Sequence, residues 1–348
     1  MNHPIFKRTV WILVFAVLIY TAFVIWSDFR KNVDTLKAFP WKMLPVIIAC
    51  VLVNFLIREL KWDYYRRAGG IEVPRFGSFL VFFSGYSMCI SPGRVGELIK
   101  PFMYKQYFGH RMSKTIPLVL CERISDLLGM IVLAGVAATA FIAGLQREAD
   151  QSSFSSRFII GFLIFSAIFM AAGIYLARHR PMMEGLIGWI RRYKRLEKPA
   201  HKLSELYEST YPLLTVKNLL ITTCLAVFSW SFECIALDII LQGVGAGHVT
   251  LGQATFIFCM ATIFGGFLFF LPGGIGGFEV TMAMMLGYLA VPAFQAGPAV
   301  ILIRFCTLFF GVALGFVFIL ITSARFHMAV KWDEFEKVEA DPEAGPDA

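Results

Sequence analysis

Ser91-Pro92-Gly93-Arg94-Val95-Gly96-Glu97 and Leu271-Pro272-Gly273-Gly274-Ile275-Gly276-Gly277-Phe278-Glu279 are the two stretches on which the fold turns. Each sets Pro-Gly, a further Gly and a following Glu inside an otherwise apolar run. Proline lacks a backbone donor and glycine opens dihedrals that other residues avoid, so each stretch predicts a broken helix. Arg123 follows Pro92 by 31 residues, and Arg304 follows Pro272 by 32, each inside the next apolar run. The two copies form an internal repeat. Backbone groups freed at membrane depth are tolerated only where protein or a wet cavity satisfies them. A helix that begins after such a break presents bare N–H groups and a positive dipole end, a natural seat for an anionic headgroup. The competing reading is a pair of kinked helices with no ligand.

The surroundings place these breaks in lipid. Of 348 residues, 57% are hydrophobic and only 16% charged, and 35 are Phe; mean hydropathy is +0.68. A polar shell around one soluble core cannot be built from this composition. The net charge of +8 reads as basic loops on one membrane face, and no nucleic-acid partner is expected, because no compact basic domain could hold one. All seven cysteines lie in apolar stretches without a C-x-x-C, and the six histidines are scattered. No disulfide framework, metal site or cofactor is expected.

Apolar runs cover Val10–Trp26, Met43–Ile57, Phe76–Ile90, Ile116–Leu145, Phe158–Ala177, Leu219–Leu241, Ala254–Leu271, Val280–Val291 and Pro298–Thr322. The first has no clear small-x-small cleavage site after it and reads as an uncleaved helix. Arg58–Arg75 carries five basic residues and Arg178–Lys217 nine, which assigns both as cytoplasmic loops. Parity then has 76–108 enter and leave from the inside, and 251–292 from the outside; the alternative, 254–271 as an ordinary span, would put Arg325 and Lys331 outside, against the charge rule. The expected fold is an all-α polytopic membrane protein. It has six full spans and two re-entrant broken helices in an inverted repeat, a common transporter plan. One transmembrane domain is expected over 1–325, with repeat one at about 42–145, repeat two at about 218–322 and the basic loop at 178–217. Residues 326–348 are expected as an acidic, disordered cytoplasmic tail.

Arg94, Glu97, Glu122, Arg123, Asp126, Glu233, Glu279 and Arg304 fall within or beside apolar runs. A charge at the centre of a membrane helix costs roughly 2.5–3.5 kcal/mol on insertion scales, so these residues must pair or line a cavity. Arg123 and Asp126 are i,i+3, and part of the cluster could be one intrahelical ion pair. Arg304 has no acid within four residues, so its partner is expected to be Glu279, Glu233 or a substrate phosphate. The expected substrate-binding or transport set is Pro92, Gly93, Arg94, Gly96, Glu97, Glu122, Arg123, Asp126, Glu233, Pro272, Gly273, Gly274, Gly276, Glu279 and Arg304.

The stretch Ser91–Glu97, then Glu122-Arg123-x-x-Asp126, then Leu271–Glu279 and Arg304, resembles the flippase-like, or lysylphosphatidylglycerol synthase transmembrane, family, also called UPF0104. The resemblance spans roughly 10–325, with Ser91 where Leu is more usual. It implies a membrane part that moves a lipid across the bilayer. The soluble synthase part of the best-known members is not expected here, and relatives linked to other lipid pathways leave the substrate open.

The leading expectation is a lipid translocase of the cytoplasmic membrane with both termini inside. Arginines would hold phosphate, and carboxylates a cationic headgroup or a coupling proton. Membrane lipids are the expected partners, with lipid-biosynthesis enzymes as further candidates; oligomeric state stays open. No G-x-x-x-x-G-K-[ST] motif supplies ATP chemistry. The alternatives are a secondary transporter of a small soluble anion, an intramembrane lipid transferase using Glu122 and Asp126 as acid and base, and an accessory subunit; no nucleophile–base pair supports an enzyme. The topology predicts that single cysteines at Lys105, Arg191 and Ala348 label from the cytoplasm, and those at Gln151 and Gly247 from outside. Labelling of position 105 from outside alone would contradict the re-entrant reading.

Overall fold

The computed structural model describes residues 29–91, 96–147, 161, 164–168, 170–175, 178–192, 197–267, 274–328 and 330–331. The expected first span, the acidic tail beyond Lys331 and Pro92, Gly93, Arg94, Pro272 and Gly273 lie outside the described residues. Every described element is a helix. In chain order these are α1 (Phe29–Ala38), α2 (Leu44–Ala68), α3 (Arg75–Ser84), α4 (Ile99–Phe108) and α5 (Met112–Arg147). The apolar helix α6 (Ile164–Tyr175) follows, then α7 (Arg180–Arg191), α8 (Glu197–Thr210), α9 (Val216–Gly243), α10 (Leu251–Phe267), α11 (Gly277–Tyr288), α12 (Ala293–Arg304) and α13 (Phe310–Phe326).

Among the described residues, four helical stretches are long and apolar enough to cross a membrane: Trp41–Ala68, Met112–Ala143, Val216–Gly243 and Ala293–Phe326. The described part of the expected span at 158–177 is the shorter Ile164–Tyr175. Both breaks are present. Around the first, α3 and α4 have ten residues each, roughly 15 Å at 1.5 Å per residue, about half a hydrocarbon core. The 3₁₀ turn Gly85–Met88 prolongs α3. Around the second, α10 has 17 residues and α11 has 12.

The element order is the same in both halves: a long opening helix, two shorter helices around a break, and a long closing helix. The packing repeats too. The opening helices α2 and α9 lie against each other and run antiparallel. Tyr64 and Tyr65 meet Asn218 and Thr222 at 2.8 Å each, while Arg58, further back along α2, stacks over Trp230, further on along α9. Each closing helix packs on the first short helix of the opposite half. α5 meets α10 through Phe141 and Phe256, with centroids 4.7 Å apart. α13 meets α3 through Phe318 and Phe83 at 4.8 Å, and through Thr322 and Ser84 at 3.1 Å.

Small residues allow these approaches, as expected where lipid removes the hydrophobic drive between helices. At Gly315 an added Cβ would strike the backbone of Tyr86 and Ser87 in the 3₁₀ turn. At Gly129 it would press on Ala226 of α9.

Two features depart from the sequence reading. The basic segment 178–217 is not a loop: it holds α7, α8 and the 3₁₀ turn Tyr211–Leu214. The segment Arg58–Arg75 is not a loop over its first half either, because α2 continues to Ala68. Arg58, Lys61 and Arg66 are buried within the protein, and Arg67 and Arg75 remain exposed. Charge counting misreads such residues because it takes no account of the helix face they occupy. Gly315→Ala is expected to lower stability by about 1–3 kcal/mol through overpacking, read as a lower melting temperature in detergent. Gly287→Ala, whose Cβ meets nothing within 4 Å, is expected to leave it unchanged.

Candidate functional site: a buried ion-pair network between the two repeats

The Cys121-Glu122-Arg123-Ile124-Ser125-Asp126 turn of α5 carries two acids on one face, four residues apart. They face α2, where Arg58 and Lys61 are i,i+3 on the side turned inward. Arg58 Nη2 donates to Glu122 Oε1 at 3.1 Å and to Asp126 Oδ2 at 3.3 Å. Lys61 Nζ donates to Asp126 Oδ1. Lys100, in the first turn of α4, donates to Glu122 Oε2 at 2.6 Å and lies over the Trp62 ring at 4.4 Å. Trp230 of α9 adds its indole N–H to Asp126 Oδ1 at 3.1 Å. Lys61 and Glu122 are both 0% exposed, so their ion pairs, Lys61 with Asp126 and Glu122 with Arg58 and Lys100, keep their charges tolerable.

Arg123 points to the same place. Its Nε lies 3.0 Å from Glu97 Oε2, with Glu122 at 3.3 Å and Asp126 at 3.5 Å. The intrahelical Arg123–Asp126 pair is therefore the longest of three contacts, and Glu97, beyond the break, is the nearest. Gly96 sits where a Cβ would meet Met88 O, and its N–H donates to Ser91 Oγ at 2.7 Å.

In the second half, Arg304 Nε donates to Glu279 Oε1 at 2.6 Å, and Arg304 Nη2 donates to Gly274 O at 3.3 Å. The guanidinium lies 3.9 Å from the Phe278 ring centroid. Glu279 Oε2 accepts the Gly276 N–H at 2.5 Å, which caps the start of α11. Gly274 and Gly276 hold φ of +67° and +95°, which favour glycine. The expected bare N-terminus for an anion is thus served by the protein's own carboxylate. Of the three partners expected for Arg304, Glu279 is the one it bonds. Directly after Arg304 the helix widens into a π turn, Phe305–Phe309, a feature frequent at functional sites.

Most of these groups line a cavity of about 390 Å³ between the halves, with Lys61 and Glu279 behind its wall. From the first half it is lined by Arg58, Tyr86, Glu97, Lys100, Glu122, Arg123 and Asp126. The second half contributes Trp230, Glu233, Thr262, Arg304 and Thr307. Among the described residues, Arg58, Lys61, Lys100, Arg123 and Arg304 are balanced by Glu97, Glu122, Asp126, Glu279 and Glu233. Glu233 is 4% exposed and forms no hydrogen bond or ion pair with a described residue. The sequence reading missed Arg58, Lys61 and Lys100. Their signal was the i,i+3 spacing of Arg58 and Lys61 immediately after an apolar helix, opposite the i,i+4 acids of α5.

The model of the lysylphosphatidylglycerol synthase TM region matches residues 12–315. The chain belongs to this family. Two relatives from Methanothermobacter thermautotrophicus, each described as a UPF0104 membrane protein, are similar along most of their length. One is 24% identical over 330 residues, covering 87% of this chain and 90% of the relative. The other is 25% identical over 277 residues, covering 73% and 79%. With its four apolar helices, this family member is a multi-pass membrane protein.

The Arg304–Glu279 pair has a direct test. Removing one partner of a buried pair is expected to destabilise the protein by about 3–5 kcal/mol, because a lone charge stays behind. Arg304→Gln and Glu279→Gln are each expected to lower the melting temperature, and the double variant to recover most of the loss in a double-mutant cycle. Additive losses would show that the two side chains act on separate partners.

Proposed function

We propose that this protein is a lipid translocase. The observation that carries this reading is the cavity itself: a charged chamber between apolar helices, with carboxylates and arginines contributed by two antiparallel halves. Buried charges in membrane helices are costly and mark substrate or ion paths. Repeats that meet at a central site suit alternating access. In this reading the headgroup of a phospholipid or glycolipid enters the cavity while its acyl chains stay in the bilayer. The short helices α3–α4 and α10–α11 act as two re-entrant hairpins from opposite faces, alongside six full spans. The protein sits in the cytoplasmic membrane with both termini inside.

The chamber divides the work. Arg58, Lys100, Arg123 and Arg304 already hold carboxylates, so a phosphate entering here exchanges with one of these partners rather than finding a free cation. Glu233 makes no hydrogen bond or ion pair among the described residues, with Arg58 and Arg304 acting on its charge from further away, and serves the cationic part of a headgroup or a coupling proton. Transport is passive or gradient-driven, since no nucleotide motif is present in the sequence. We read the chemistry as binding and release, not catalysis. The volume also suits a small soluble anion, which defines the second reading.

Purified protein in liposomes is expected to move a fluorescent phosphatidylglycerol between leaflets, read by its loss to an impermeant reductant. Glu233→Gln, close in shape to the native side chain, is expected to slow that movement by about tenfold or more, the scale of one lost charged contact, at unchanged melting temperature. Wild-type movement by Glu233→Gln would remove the carboxylate from the mechanism. Uptake of a soluble phosphate ester without lipid movement would favour the second reading.

A further inference from the structure

A second cavity lies on the opposite side of α5. Leu127 and Met130 face the central chamber, while Leu128, Ile131 and Val132 face outward toward α6. The groove between α5 and α6 measures about 570 Å³. On α6 the small side chains of Ala167 and Ala171, four residues apart, make room for it. Both walls are apolar along this length.

The same face of the chain then changes character. Continuing past Ile174 and Tyr175, the groove ends at Arg178 and His179. Arg178 gives one donor, Nη1, to the Leu214 carbonyl at 2.9 Å, out of the five that a guanidinium carries. His179 Nδ1 is buried and has no hydrogen-bond partner among the described residues. The groove is thus an apolar channel, about 12 Å long from Ala167 to Tyr175 at 1.5 Å per residue, closed at one end by cationic and donor groups.

The adjoining helix fixes the depth of that end. His179 is the N-cap of α7. Met182, Leu186 and Trp189, at i, i+4 and i+7 of α7, are all exposed. Their neighbours Arg180, Arg191 and Arg192 are exposed as well. The other side of α7 packs on α8 through Ile187 and Tyr207, with Arg180 paired to Glu208 at 2.7 Å. A helix with an exposed apolar stripe, an aromatic anchor and basic flanks lies in the lipid–water interface. The polar end of the groove therefore sits at the headgroup level.

We infer that this groove binds one anionic phospholipid, with an acyl chain between α5 and α6 and the phosphate at Arg178 and His179. A second copy of the chain fits the groove less well. A two-fold contact centred here would set Arg178 against its own copy. The inference does not depend on the transport reading, because the two cavities share α5 but none of its lining residues.

The test uses the full-length protein in nanodiscs, with a trace of phosphatidylglycerol carrying a diazirine in its acyl chain, followed by peptide mapping of the photo-adducts. Adducts are expected at 128–132 and 167–174. Their yield is expected to fall in nanodiscs of phosphatidylglycerol relative to nanodiscs of phosphatidylcholine. Ala171→Trp, at an exposed position, is expected to cut these adducts by about tenfold at unchanged melting temperature. The double change Arg178→Gln with His179→Gln is expected to abolish the difference between the two lipids while keeping the adducts. Adducts spread evenly over all lipid-facing helices would overturn the proposal. So would indifference to Ala171→Trp, or cross-links joining α6 of two copies in place of lipid adducts.

Discussion

The pairing of Glu122 and Asp126 with Arg58, Lys61 and Lys100 is the constraint around which the other elements are arranged. Two carboxylates on one turn of α5 cannot sit in an apolar bundle without counter-charges. The counter-charges come from α2 and α4, and the Trp230 indole from α9. Satisfying them fixes how α2 is rotated, where the chain resumes after the first break, and how closely α9 approaches α5. A network of this kind gives little net stability against an apolar replacement, yet it strongly penalises any arrangement that leaves one member alone. It therefore selects one packing among several that apolar helices could adopt.

The breaks serve that network. Residues of α3 and α4 could not both form one straight helix and bring Glu97 and Lys100 to the charges of α5. The 3₁₀ turn Gly85–Met88 and the tight contact at Gly96 turn the chain back toward Arg123. In the second half the solution is more compact. Glu279 caps α11 through the Gly276 N–H and holds Arg304 with its other oxygen, so one side chain satisfies both the helix end and the buried cation. The halves share a plan and differ in their charge load: the first concentrates seven ionised groups, and the second keeps one pair and the carboxylate of Glu233.

That asymmetry bears on the proposed transport. In the proposed translocase, a cavity whose cations are already paired would offer an incoming headgroup exchange rather than capture, which favours reversible passage over tight storage. Exchange also keeps the bundle from holding an uncompensated charge at any stage. The outer groove at Arg178 and His179 would place the inferred, differently built lipid contact on the far face of the helix that carries Glu122 and Asp126.

The sequence by itself determined that this is an all-helical membrane protein, and it marked the Pro-Gly stretches beside which the described helices end. Those properties reside in local patterns: apolar runs, Pro-Gly pairs, and arginines at matching distances. It also identified Glu97, Glu122, Arg123, Asp126, Glu279 and Arg304 as charges that must be accounted for. What only the tertiary structure decided was which charges answer which. Arg58 and Lys61 look in sequence like the basic edge of a cytoplasmic loop, and their partners lie 64 and 65 positions away. Lys100 likewise looks like the start of a basic surface segment. A count of charges along a chain cannot distinguish a residue turned to water from one turned to a buried carboxylate. That distinction is set by the rotation of each helix, which depends on all its neighbours at once.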